Sequence, residues 1–447
     1  MNKKIGFISL GCAKNLTDTE TMLGILSERG FEITADASLA DVIVVNTCAF
    51  IDSAKEESIN AILEMAAYKE DKCELLIVAG CLAQRYSDDI LTELPEVDLI
   101  LGTTDYARIA EVIEAYYEDG EKISSVSDEN KAVSYDLPRV QSTPAHTAYL
   151  KIADGCDNFC TYCIIPKLRG KFRSRPMASI LSEARSLAEH GVKELILVAQ
   201  DTACYGKDTG GGNLAELLAS LGKIDGIEWI RLQYCYPENI TDELIGEIAS
   251  NPKVVKYLDM PIQHISDNIL KKMGRRSRGA LVRSLIDSIR QRIPSVVIRT
   301  SLIVGFPGET EADFEELTYF LMQYRLDKVG IFTYSREEGT PAYDYDGQIS
   351  EDIKEDRRSL AMTIQKEVSH SINSERIGKT DTVIIEGYDA DEYCYVGRCS
   401  GDTPEVDAMA YVYSEDELSA GDIVSVEIVD ASDYDVMCKC VDRTQIL

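Results

Sequence analysis

The residues best placed to do chemistry are Cys156, Cys160 and Cys163, three thiols within eight residues. Spacings this short let sulfurs converge on one metal centre. A structural zinc or an ordinary electron-transfer cluster takes four protein ligands. Three therefore predict an iron–sulfur centre with one vertex left open for a substrate or cofactor. A zinc knuckle with its fourth ligand elsewhere is the alternative. A second set, Cys12, Cys48 and Cys81, is spread along the first eighty residues, each just past an apolar run.

Those runs are the elements that must position the second set. Lys4 to Gly11, Val42 to Asn46 and Leu75 to Gly80 read as buried strands, with helical patterns after the first two, the second running from about Ser53 to Tyr68. Strands alternating with helices predict a parallel sheet. Ligands bind such sheets outside the carboxyl ends of the strands, which is where the three cysteines lie, one per βα unit. This geometry favours a second metal centre over three small buried thiols. Cys73 precedes its strand and stands apart. Val97–Leu101 reads as one more strand, and residues 119 to 146 turn polar, as a linker would.

A second domain starts with a strand at Tyr149–Ala153, which delivers the Cys156 loop. Further strands are predicted at Glu194–Ala199, Trp229–Tyr234, Val255–Asp259, Val297–Val304 and Val329–Tyr334, with helices between most of them. Six βα units make an open or partial barrel whose functional loops sit at the strand carboxyl ends. Ile353–Arg376 reads as a long amphipathic helix closed by Gly378. Five short strand-like runs follow, which suggests a small barrel of the OB type. Cys394, Cys399, Cys438 and Cys440 are expected to pack there or lie on the surface. His264 is set aside.

The run Cys156-x3-Cys160-x-Tyr162-Cys163 resembles the signature of radical S-adenosylmethionine (SAM) enzymes. The resemblance implies that these catalytic thiolates hold a 4Fe–4S cluster and that SAM chelates the fourth iron through its amino and carboxylate groups. It also implies that reductive cleavage gives a 5′-deoxyadenosyl radical. Tyr162 falls where the family has an aromatic residue whose backbone lies near the adenine. Gln200 lies where the superfamily usually has Gly-Gly-Glu to meet the SAM amino group, a departure. Gly305, opening Gly305-Phe-Pro-Gly-Glu-Thr310, resembles the family's SAM-side turn.

The ordered combination resembles the radical SAM methylthiotransferases over essentially the whole chain. The implied organisation is α/β. It has an N-terminal parallel sheet domain (1–118), a linker (119–141), a partial (βα)6 radical SAM core (142–376) and a small antiparallel β-barrel of the TRAM type (377–447). That family replaces C–H by C–SCH3, so two 4Fe–4S clusters and SAM are implied. The residues matching Cys12, Cys48 and Cys81 hold the cluster that handles sulfur. One branch modifies an adenosine in tRNA; the other modifies an aspartate of ribosomal protein S-twelve at its β-carbon. Gly11-Cys-Ala-Lys-Asn-Leu16, Asn46-Thr-Cys-Ala-Phe-Ile-Asp52 and Lys167-Leu-Arg-Gly-Lys-Phe-Arg-Ser-Arg175 look like the protein-modifying branch's versions.

Composition agrees independently. The chain carries a net charge of −31 over 447 residues, which argues against a broad nucleic-acid footprint and for a basic partner. From Lys379 onward seventeen acidic residues face four basic ones, a net −13. Such a tail repels phosphates and suits a basic protein. The expected partners are therefore S-twelve or the small ribosomal subunit, together with an electron donor, and not tRNA or a membrane. Thirteen cysteines without a secretory signal fit reduced thiols in the cytoplasm. Two other classes stand against this reading: a cluster carrier without catalysis, and an RNA-binding module with structural zinc.

Overall fold

The computed structural model describes residues 3–131 and 134–441. The first body is a six-stranded parallel sheet, β1 (Lys4–Ser9), β2 (Glu32–Thr34), β3 (Val42–Thr47), β4 (Leu75–Gly80), β5 (Leu99–Leu101) and β6 (Ile123–Ser125). Its order, β2-β1-β3-β4-β5-β6, puts the three cysteine-bearing strands β1, β3 and β4 side by side. β3 and β4 are buried on both faces, as central parallel strands require, while β1 is buried only at Ile5 and Gly6 and half-buried elsewhere. Helix α1 (Ala13–Glu28) begins directly on Cys12, and α2 (Asp52–Ala66) follows Cys48. Two strands escape the sequence pattern. β2 is three residues long, and β6 falls inside the polar stretch assigned to the linker, so that stretch begins as part of the sheet.

The central body opens with β7 (Thr147–Lys151) and a two-residue hairpin, β8 (Ala153–Asp154) with β9 (Arg173–Ser174), which carries the Cys156 loop between its strands. Strands β10 (Glu194–Val198), β11 (Trp229–Leu232), β12 (Val254–Asp259), β13 (Val297–Val304) and β14 (Lys328–Thr333) pair in sequence order with β7, all parallel. This is the six-unit open barrel expected. A capping box at Thr310 and Asp313 starts its last helix. A buried cluster from Ala148 to Ala361 fills the space between strands and helices.

The helix Glu351–Ser374 leads into a closed antiparallel-rich barrel, β15 (Thr380–Asp389), β16 (Cys394–Cys399), β17 (Ala410–Tyr413), β18 (Ile423–Ala431) and β19 (Val436–Cys440). Residues 442–447 of the acidic tail lie outside the described residues. This small barrel seals the strand-start end of the central one. Arg398 and Arg231 share the buried Glu194 carboxylate at 2.6 and 2.8 Å. The β16–β17 loop inserts Asp402 against Lys328 at 2.7 Å and Thr403 against Gln233 at 2.7 Å. Asp407 accepts from Tyr257 at 3.0 Å. Part of the tail's negative charge is thus consumed inside the protein, which composition alone cannot reveal.

Candidate functional site

The N-terminal sheet caps the opposite end, where the strand carboxyl ends of both bodies meet. On the sheet side, Cys12 is the N-cap of α1, Cys48 follows β3 and Cys81 starts the short helix after β4. The fold brings them together: the charge of Cys81 and of Cys12 bears on Cys48, and that of Cys12 on Cys81. Ser58 holds the Cys48 backbone by two hydrogen bonds of 3.0 Å. The Asn15 amide ties the ends of β1 and β3 by donating to the carbonyls of Leu10 (2.8 Å) and Thr47 (3.3 Å). Gly11 has φ +87°, and a Cβ there would stand 2.7 Å from the Cys48 Cβ. Only glycine lets the two cysteine-bearing loops approach this closely.

On the barrel side, Gly155 at φ +78° turns the chain off β8; a Cβ there would run into the Lys171 carbonyl. The Cys156 amide donates to Gly170 at 3.0 Å and Cys163 to Cys160 at 3.0 Å. The Asn158 amide donates to the buried Asp201 at 2.9 Å. Cys156, Cys160 and Cys163 lie close enough that their charges act on one another.

The two triads differ electrostatically. Burial pushes the Cys48 thiol up to about 12 and the Cys156 thiol up to about 11. Burial likewise raises Cys163. Cys12 is the exception. Burial would raise it, yet Lys14, Arg169 and backbone amides together hold it below its ordinary value. Arg169 is 2% exposed and binds Asp18 at 3.0 Å and Asp154 at 3.1 Å. Lys151 lies on the same two carboxylates. This buried network ties the Cys156 loop to the sheet domain. A second clamp is Glu337, 1% exposed, held by Lys55 at 2.9 Å and Arg85 at 3.2 Å.

All thirteen cysteines are free thiols. Among the described residues no three His, Cys, Asp or Glu side chains close tightly enough around one point to hold a single ion. The donor sets, three soft thiols each, instead suit an iron–sulfur cluster, which spans a wider gap with its own irons and sulfides.

The remaining predicted residues fall as follows. Tyr162 is buried beside Phe306, and its hydroxyl has no partner. The Gln200 amide donates to Asp154 at 3.0 Å, while its buried Oε1 is unpaired and free to accept from a bound group. Gly305, φ +73°, donates its amide to Glu309 and packs on the stem of Lys354. Sequence reading missed Arg275 and Glu238. Arg275 lies over the Tyr236 ring at 4.2 Å, with Nε and Nη1 unpaired; Glu238 Oε2, 3.5 Å from it, makes no hydrogen bond. The charge of Cys160 bears on Arg275. The signal was the basic run Lys271–Arg278, which gives no hint that one of its five cations is buried. His264 is buried beside Glu309, at 3.7 Å. Cys399 and Cys438 pack inside the small barrel, Cys440 lies at its edge, and Cys394 is buried in the wall of a surface cleft.

Family models match three consecutive parts of the chain: "Uncharacterized protein family UPF0004" over residues 4–102, "Radical SAM superfamily" over 150–321 and "TRAM domain" over 377–441. A ribosomal protein uS12 methylthiotransferase RimO from Acetivibrio thermocellus is 52% identical over 99% of this chain and all of its own. The RimO of Clostridium botulinum is 52% identical over 97% of each. Among solved structures, the radical SAM methyltransferase TsrM of Kitasatospora setae superposes with a TM-score of 0.59 at 13% identity, covering 82% of this chain and 89% of its own. That likeness shows a shared fold. Full-length identity of this order, with all three modules in the same sequence, places the chain in the radical SAM methylthiotransferases, within the family of ribosomal protein uS12 methylthiotransferases.

Proposed function

We propose that this chain attaches a methylthio group to ribosomal protein uS12 (S-twelve), at the β-carbon of one aspartate, with SAM as cofactor. The observation that carries the reading is identity of about half, along the whole length, to uS12 methylthiotransferases, in a chain that carries one three-thiol set at the strand ends of its sheet domain and another on the first loop of its barrel. When bound, a 4Fe–4S cluster with SAM at the barrel triad supplies a radical able to take hydrogen from an unactivated carbon. Such a carbon next to a carboxylate offers no acid–base route to a C–S bond. A second cluster at the sheet triad supplies the sulfur chemistry.

The chain's own residues do the rest. Cys156, Cys160 and Cys163 would hold the barrel cluster, and Cys12, Cys48 and Cys81 the other. Arg275 with Glu238 and the free Oε1 of Gln200 offer a buried cation, an anion and an acceptor to the amino-acid end of SAM. The Tyr162–Phe306 pair offers an apolar wall. Arg169, Lys151, Asp18 and Asp154 fix the distance between the triads and keep water from it. On the small barrel, a 290 Å³ cleft lined by Tyr388, Tyr393, Glu415, Asp416 and Glu417 presents exposed acid and aromatic surface suited to a basic protein. No helix among the described residues is long and apolar enough to cross a membrane; action in the cytoplasm, with a low-potential electron donor, completes the proposal.

Mass spectrometry of ribosomal proteins and tRNA from cells with and without the gene tests it. The expected result is a uS12 mass greater by one methylthio group only when the gene is present. An unchanged uS12 with gene-dependent methylthiolated adenosine in tRNA would move the chain to the other branch.

A further inference from the structure

Lys14 is a cation that fold stability does not account for. It sits in the first turn of α1, where the helix dipole disfavours positive charge. It is only 7% exposed. Buried charges are ordinarily paired, and the neighbouring buried cations obey this, Arg169 and Lys151 both lying on Asp18 and Asp154. Lys14 does not. Among the described residues no carboxylate comes within 4 Å of its ammonium, Asp18 and Asp154 being taken by Lys151 and Arg169. Its ammonium lies 3.5 Å from the centre of the Tyr234 ring.

The location is specific. Tyr234 follows the carboxyl end of β11 with φ +60°, a strained backbone for a bulky residue. Ala13 and Leu16, flanking Lys14, pack with Tyr234 onto Tyr149, Ile196 and Val198 of the barrel. The ammonium therefore projects where the sheet domain enters the barrel mouth, two residues from Cys12. A buried cation on an aromatic face, with the Cys12 thiol but no carboxylate beside it, can receive a carboxylate from a bound partner.

We propose that Lys14, backed by the Tyr234 ring, anchors the carboxylate of the substrate aspartate and so holds its β-carbon between the two triads. The inference rests on the reading that an aspartate of uS12 is the substrate. It adds that the side-chain charge itself is recognised, by this residue.

The test is equilibrium binding of purified uS12, in its natural form and with the modified aspartate replaced by Asn, to the reconstituted full-length enzyme and to Lys14→Met and Lys14→Arg. A hydrogen-bonded charge pair is worth at least about tenfold in affinity. The wild type should prefer the Asp form by that factor, Lys14→Arg should keep a preference, and Lys14→Met should bind both forms alike, at the weaker level. Equal binding of both forms by the wild type, while uS12 is still methylthiolated in cells, overturns the anchor and leaves the proposed function standing. So does a preference that survives in Lys14→Met, whether or not both forms bind that variant more weakly. If neither form binds and uS12 is unmodified in cells, the function and the anchor fall together.

Discussion

The two thiol triads reach similar donor sets by opposite routes. The barrel triad is local: eight residues on one loop, set by Gly155, the β8–β9 hairpin and a few backbone hydrogen bonds. The sheet triad is global, assembled from three strand ends 36 and 33 residues apart that become neighbours only when β1, β3 and β4 pair. Their surroundings differ too. Lys14 and Arg169 act on Cys12, whereas the charges acting on Cys156 are those of Cys160 and Asp201. A local triad is insensitive to register elsewhere; a global one depends on the sheet. The positively charged site is the one suited to anionic sulfur or an anionic substrate group.

The largest test of that contrast removes one triad at a time. Anaerobic reconstitution should load about eight irons per chain. Cys156, Cys160 and Cys163 changed together to Ala should halve the iron and keep an iron–sulfur absorption band, and so should Ala at Cys12, Cys48 and Cys81. Stoichiometric zinc in place of iron would contradict both.

Next come the glycines. Gly11→Ala forces a Cβ to 2.7 Å from the Cys48 Cβ at a positive φ, and should empty the sheet site while sparing the barrel site. Gly155→Ala should do the reverse, because its Cβ meets the Lys171 carbonyl. Iron content per chain separates the two, and equal losses at both sites would show that the triads are not independent.

Arg169→Met leaves Asp18 and Asp154 with only Lys151 between them. Breaking a buried ion pair costs about 3–5 kcal/mol, so thermal unfolding should shift down by several degrees. At the other end of the barrel the effect depends on pH. Burial would raise the Glu194 carboxyl, but Arg231 and Arg398 hold it below the ordinary carboxylate range. A depressed folded value means its contribution is complete above the unfolded value and lost as pH falls through the folded one. The wild-type unfolding midpoint should therefore drop on acidification below about pH 4.5, more steeply than that of Glu194→Gln.

The smallest effect expected is at the surface. Reversing Glu415, Asp416 and Glu417 to Lys should slow association with uS12 a few-fold, an effect that fades as salt rises because exposed charges are screened over about 8 Å at physiological ionic strength. Tighter tRNA binding by this variant, with uS12 binding untouched, would argue for the RNA branch.

The difference between the triads also explains what the sequence could tell. The Cys156 loop is legible because its ligands are adjacent in the chain. Cys12, Cys48 and Cys81 are legible one step further on, because each ends an apolar run and parallel strands place their ends on one edge. Lys14 and Arg169 stood in quoted motifs, yet nothing local says that one lies on Tyr234, 220 residues away, or that the other binds Asp18. Glu337 and the buried Asp402 are hidden for the same reason, their partners coming from other bodies of the molecule, and Arg275 because Tyr236 and Glu238 come from a different loop of its own body. β2 and β6 escaped because three residues carry no period and theirs are largely polar or exposed, whereas the equally short β5 is apolar and buried throughout. The acidic tail was read whole, whereas Asp402 and Asp407 are spent on Lys328 and Arg299 of the central barrel and Glu386 on Arg398 within the tail, so only the outer face is available to another protein.

The division of labour between the triads is tested most directly by measuring two products in one reaction. Purified wild type and the Ala variant at Cys12, Cys48 and Cys81 are supplied with SAM, dithionite and uS12, and both 5′-deoxyadenosine and methylthiolated uS12 are quantified. The wild type should yield both. The variant should still release 5′-deoxyadenosine while leaving uS12 unmodified. A variant that remains folded, keeps the barrel cluster and yet loses SAM cleavage, or one that still methylthiolates uS12, would contradict the account.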